Sequence, residues 1–116
     1  MKKIITLILV LSMALMLFSC GATKEKVIGT WQRETMYLPA YNCEADMIIS
    51  FGADGTYAEV LLNHVTGDIL DTESGRWTIE GGEVAARETG EDGTTYYSYS
   101  GGHLKNGDNK YTRISD

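Results

Sequence analysis

The sequence predicts an all-β domain, a small antiparallel up-and-down barrel of about eight short strands behind an N-terminal signal helix. Three observations predict it. Turn signals recur at roughly 8–12-residue spacing, the mark of a sandwich or barrel: Ala53-Asp54-Gly55, Gly81-Gly82, Glu91-Asp92-Gly93, Gly101-Gly102 and Asn106-Gly107-Asp108. The runs between them are rich in Val, Ile, Thr, Tyr and Trp and alternate in character. Beyond the leader no segment sustains a 3.6-residue period, so helix is limited to a turn or two near residues 23–28.

The leader comes first. Lys2 and Lys3 form a positive n-region, Ile4 to Phe18 is a 15-residue apolar run, and Leu17-Phe18-Ser19-Cys20 closes it. That length suits a signal h-region and falls short of the roughly 20 residues a spanning helix needs. The pattern resembles a bacterial lipoprotein signal with its lipobox, which implies cleavage before Cys20 and diacylglycerol on its thiol. The organisation expected is a signal peptide over 1–19, a lipidated cysteine and polar tether over 20–26, and one β domain over 27–116. Such a protein sits on the cell membrane or outer membrane with its domain outside the cytoplasm. Acyl burial contributes about 0.8 kcal/mol per CH₂, so two or more chains hold a soluble domain stably.

Charge narrows the function classes. The chain carries a formal charge of −6, and removing Lys2 and Lys3 leaves eight Lys/Arg against sixteen Asp/Glu, or −8. A nucleic-acid partner needs a basic patch to displace counterions, and this chain offers none. With Cys20 taken by lipid, Cys43 has no intramolecular partner and reads as a half-buried small residue or loop thiol.

Eight strands follow in order, near residues 27–37, 46–52, 56–63, 74–79, 83–88, 94–100, 102–105 and 109–114. Met47, Ile49 and Phe51 share one face of the second. In the third, Ala58, Val60 and Leu62 oppose Tyr57, Glu59 and Leu61, and the aliphatic set Val60 and Leu62 is expected inside. Trp77 and Ile79 share a face of the fourth, and Tyr97 and Tyr99 oppose Tyr96 and Ser98 in the sixth. Leu38–Ala45 and His64–Glu73 break the rhythm as longer loops, where function concentrates.

Val27-Ile28-Gly29-Thr30-Trp31, then Phe51-Gly52-Ala53-Asp54-Gly55-Thr56-Tyr57, then Gly75-Arg76-Trp77-Thr78-Ile79 and Tyr111-Thr112-Arg113-Ile114 carry a further likeness. Their order and spacing resemble the short lipocalin-like domains of bacterial lipoproteins. The resemblance implies a barrel floor closed by Trp31 with Arg113 packed across it, a structural pairing worth about 0.5–2 kcal/mol. The floor then lies nearest the lipid and the open end faces away. Eight strands enclose an interior that side chains fill or that holds one small ligand. A mostly packed interior is expected, in a closed barrel or an incompletely closed, flattened sheet.

Catalytic machinery is not expected. There is no G-x-S-x-G elbow and no phosphate-cradling glycine loop, because the glycines fall at hairpins. His64 precedes Asp68, Asp71 and Glu73 without the ligand repeat of a calcium loop or the three or four N/S ligands zinc prefers. His103 reads as a strand-start residue. Neither a metal nor another cofactor is expected. The candidate contact residues are tyrosines and their neighbours, namely Tyr37, Leu38 and Tyr41 on the first long loop and Tyr97 and Tyr99 on the sixth strand. Two functions follow from them. One is a binding module for a small apolar or amphipathic molecule at the open mouth. The other is an envelope-assembly accessory with a filled barrel and a protein partner.

Overall fold

The computed structural model describes residues 21–115. The expected signal segment 1–19 and Cys20 lie outside the described residues. Within them, one helical turn, α1 (Lys24–Val27), precedes nine strands: β1 (Gly29–Arg33), β2 (Met36–Leu38), β3 (Cys43–Phe51), β4 (Thr56–Asn63), β5 (Ile69–Glu80), β6 (Glu83–Glu88), β7 (Thr95–Ser100), β8 (His103–Asn106) and β9 (Asn109–Ser115). No described helix is long and apolar enough to cross a membrane.

The strands run as an antiparallel meander from β3 to β9, and β1 pairs with both β9 and β3. That double pairing closes an eight-stranded barrel, so the flattened-sheet alternative is excluded. β2 is the extra strand, paired only to β3. It continues the line of β1 along β3 with a one-residue offset, since Gln32 faces Ile48 and Met36 faces Ala45. The single strand expected over 27–37 is therefore split, helical at its start and bulged at Glu34-Thr35.

Local chemistry sets the hairpins. Gly55, Gly81, Gly82, Gly101, Gly102 and Gly107 all have positive φ, the conformation tight β-turns require. The expected long loops are shorter than predicted. Pro39–Asn42 alone links β2 to β3, closed by Tyr41 N–H to Leu38 O and Asn42 N–H to Pro39 O. Asn42 takes the left-handed conformation there, and its Oδ1 accepts from the Tyr37 hydroxyl at 2.6 Å. Between β4 and β5 only His64–Asp68 remains loop. The Asn63 side chain organises it by accepting from the Val65 and Thr66 N–H groups. Asp71 and Glu73, expected in a loop, are strand residues.

One expectation about the core is overturned. Val60 and Leu62 do not point inward; Tyr57, Glu59 and Leu61 do. Phe51 pairs with Tyr57, Ile49 with Glu59 and Met47 with Leu61, and paired residues share a face. The turn closed by Gly52 N–H to Thr56 O at 2.8 Å fixes that register. Because Phe51, Ile49 and Met47 face in, Glu59 must as well. Counting aliphatic residues cannot reveal this, since a one-residue change of phase exchanges every side chain between faces.

The lower barrel is packed with Val27, Trp31, Ile49, Phe51, Trp77, Val84 and Leu104. Phe51 is its hub, edge-on to Trp77 at 5.3 Å and to Tyr97 at 6.0 Å. Gly75 permits the tightest approach of strands, because a Cβ there would lie 2.1 Å from the Arg87 carbonyl oxygen.

Candidate functional site

The two ends of the barrel differ. At the floor, Trp31 is fully buried and its Nε1–H donates to the Val27 carbonyl at 2.9 Å. Trp31 and Arg113 are register partners across β1 and β9. The Arg113 guanidinium lies 4.4 Å from the indole centroid. Its Nη1 donates to the Ile28 carbonyl at 2.7 Å and its Nη2 to the Lys26 carbonyl. A planar, always-charged fork thus satisfies carbonyls that a four-residue helix leaves open. The turn reaches further back: Ala22 N–H donates to Gly82 O at 2.7 Å, and Ala22 is buried. Residues 21–27 are accordingly laid against the floor and not a free tether. Tyr99 faces the same end, edge-on to Trp31 at 6.5 Å and under the Lys26 ammonium.

Above this core the interior turns polar. A cavity of about 260 Å³ opens among β4, β5, β6 and β7 and the β6–β7 loop. Its walls carry Glu59 and Glu73, which face each other across the β4–β5 ladder, together with Glu88 and Glu91. Tyr57, Tyr97, Ala86, Gly93, Thr94 and Thr95 complete the lining. Each strand contributes by period-two alternation: Glu59 follows Tyr57 on β4, Glu88 follows Ala86 on β6, and Tyr97 follows Thr95 on β7.

The electrostatics follow from this enclosure. Burial raises the Glu59 carboxyl to about 7, assisted by the hydrogen bond and negative charge of Glu73 and opposed by the Arg33 guanidinium. Burial also raises the Tyr57 and Tyr111 hydroxyls to about 12 and lifts Tyr97 further, with Glu59 adding to the effect. Partial desolvation, with Glu73 and Glu91 nearby, raises Glu88. Arg33 is the next inward residue after Trp31 on β1. It is only 8% exposed, and its Nε and Nη2 make no hydrogen bond. Its charge offsets one carboxylate and leaves the cavity walls net acidic.

The expected contact residues are dispersed. Tyr97 lines the cavity and is 4% exposed. Tyr99 is part of the floor packing, and the outward aromatic of β7 is Tyr96. A partner approaching from outside therefore meets Tyr96, which corrects the expectation of docking through Tyr97 and Tyr99. Tyr37, Leu38 and Tyr41 sit at the β2–β3 tip with Tyr37 and Tyr41 exposed, and none of the three lines the cavity. His64 Nδ1 contacts Asp46 Oδ2 at 2.8 Å, and Thr35 donates to the same carboxylate at 2.6 Å. Among the described residues no group of three or more His, Cys, Asp or Glu is arranged to hold a metal ion. Cys43 is a half-buried free thiol.

Residue-type reasoning missed Arg33, Tyr57, Glu59, Glu73 and Glu88. The usable signal was the length of the Gly52–Thr56 turn, which sets β4 in phase with Phe51 and so carries Tyr57 and Glu59 inside.

No curated protein and no solved structure gives a match to the chain. A family model described as a lipocalin-like domain matches residues 27–111, which span the barrel from Trp31 on β1 to Tyr111 on β9, and this chain belongs to that family.

Proposed function

We propose that this protein is a non-catalytic binding protein of the bacterial envelope, held to a membrane by lipid on Cys20, with a small molecule taken into its barrel mouth. The single observation behind it is the cavity of about 260 Å³ that opens above the packed lower barrel. Ligand sites of drug-sized molecules run from about 300 Å³ upward, so the occupant is smaller than those. Its polar lining redirects the expectation of an apolar ligand toward one with a polar or charged group.

Native mass spectrometry of the full chain released in mild detergent tests the reading. A bound small mass is expected, lost on denaturation and lost in Ala86→Leu, which fills the cavity from its wall. No bound mass, with no spectral change on screening a library of small molecules, overturns it. The anchor is tested separately: Cys20→Ser should abolish labelling by a radiolabelled fatty acid and move the chain out of the membrane fraction.

The protein-partner reading has an observation of its own. Met36, Tyr37, Tyr41, Val65 and Ile69 are exposed at the neighbouring β2–β3 and β4–β5 tips, away from the floor. Co-purification of an envelope protein lost on Tyr37→Ser/Tyr41→Ser would favour it.

A further inference from the structure

The proposed binding function leaves the ligand's chemistry open, and the cavity constrains it. Glu59, Glu73 and Glu88 bring carboxyl groups from three successive strands to one half-open space. Among the described residues the one cation facing them from inside the barrel is Arg33, which lines a different recess, beside Glu34 and Asn109. Clustered carboxylates around a partly buried Glu59 are stabilised by a counter-charge that enters with the ligand, because like charges held together in a partly desolvated site repel. A metal ion does not suit the arrangement: among the described residues the acids are not grouped as a metal site, and hard cations need six or more oxygens at short range.

A second observation is independent of the acids. Tyr97 is more than nine-tenths buried and lines the cavity, and among the described residues its hydroxyl, which keeps some access to that space, makes no hydrogen bond to the protein. Tyr57 offers a further aromatic surface to the same space, and aromatic faces attract cations.

We infer that the cavity takes a small organic ammonium ion, a protonated amine on a compact aromatic or short apolar body, with its charge between Glu59 and Glu73 and its body against Tyr57 and Tyr97. The inference rests on the binding reading above and deepens it. A ligand of this kind supplies the missing counter-charge, a hydrogen-bond partner for Tyr97 and apolar area of a size the cavity admits.

Isothermal titration of the full chain in mild detergent at pH 8 tests it with three probes of one shape: tyramine, neutral 4-ethylphenol and anionic 4-hydroxyphenylacetate. Tyramine is expected to bind roughly tenfold or more tighter than 4-ethylphenol, with 4-hydroxyphenylacetate weakest. Glu59→Gln/Glu73→Gln should reduce the amine's advantage to about threefold or less while the neutral probe is unaffected. Circular dichroism establishes that the variant is folded; if it is not, the single Glu73→Gln must still lower the preference for tyramine. Equal binding of tyramine and 4-ethylphenol overturns the ammonium assignment and leaves the binding function standing. Failure of all three probes to bind a chain that still carries a native small mass overturns the assignment in the same way.

Discussion

Glu59 and Glu73 stand directly opposite each other across the β4–β5 ladder with both side chains directed into the barrel. Like charges at opposed positions destabilise a sheet, so the pair persists by keeping a proton. Protonated Glu59 donates to Glu73, and burial together with that neighbour raises the Glu59 carboxyl to about 7.

Folding stability should therefore fall with rising pH through that range. A raised carboxyl pKa means that the folded state binds more protons than the unfolded one between about 4.5 and 7. The contribution is fully present below the unfolded value and lost as pH rises through the folded one. Discounted for partial solvent access, the loss is about 1–2 kcal/mol. Urea unfolding at pH 5 and pH 8 should show this difference in the wild type and little of it in Glu59→Gln.

The floor predicts a different sensitivity. Arg113→Ala removes the cation from the Trp31 face and the donors to the Ile28 and Lys26 carbonyls. The expected cost is about 2–4 kcal/mol. Arg113→Lys should recover little, because an ammonium cannot stack and donate in two fixed directions. Thermal melts of the three proteins decide it.

Gly75→Ala should cost about 3 kcal/mol or more, because its Cβ would collide with backbone of β6 and neither strand can retreat. Gly93→Ala, with open space around it and no positive φ, should stay within about 0.5 kcal/mol of wild type. Chemical denaturation of the pair separates steric necessity from loop tolerance.

At the start of the β4–β5 loop, the hydrogen bond to Asp46 and its negative charge raise the His64 pKa. The Asp46 carboxyl resists partial burial through its hydrogen bonds with Thr35 and His64, which keep it below its ordinary range. The His64 contact stabilises most below the ordinary histidine pKa and weakens as pH rises through the raised one. An NMR titration should place His64 above 6.5 in the wild type and return it toward that value in Asp46→Asn.

Much of the architecture was legible in the chain, because a hairpin is a local event. Gly81-Gly82, Gly101-Gly102 and Asn106-Gly107 mark their turns through the conformations glycine allows. The strands over 56–63 and 83–88 end where those local signals end them. Trp31 and Arg113 were readable as a pair from the motifs around them. The long loop expected over 64–73 misled, because Asp71-Thr72-Glu73 looks solvated by composition. Those polar residues are strand, and Glu73 faces a polar cavity, so the usual equation of polar with outside fails there.

Turn chemistry and alternation along single strands belong to the sequence, and from them come the β class and the meander, while the Trp31–Arg113 floor was implied by the resemblance its motifs carry. The cavity does not exist in any one segment. Glu59, Glu73, Glu88 and Tyr97 become neighbours only when the registers of β4, β5, β6 and β7 lock and the barrel closes, and burial then raises the proton affinities of Glu59, Glu88 and Tyr97. Inside or outside is decided by a one-residue phase, and that phase is set by pairing with a neighbour that already has a face.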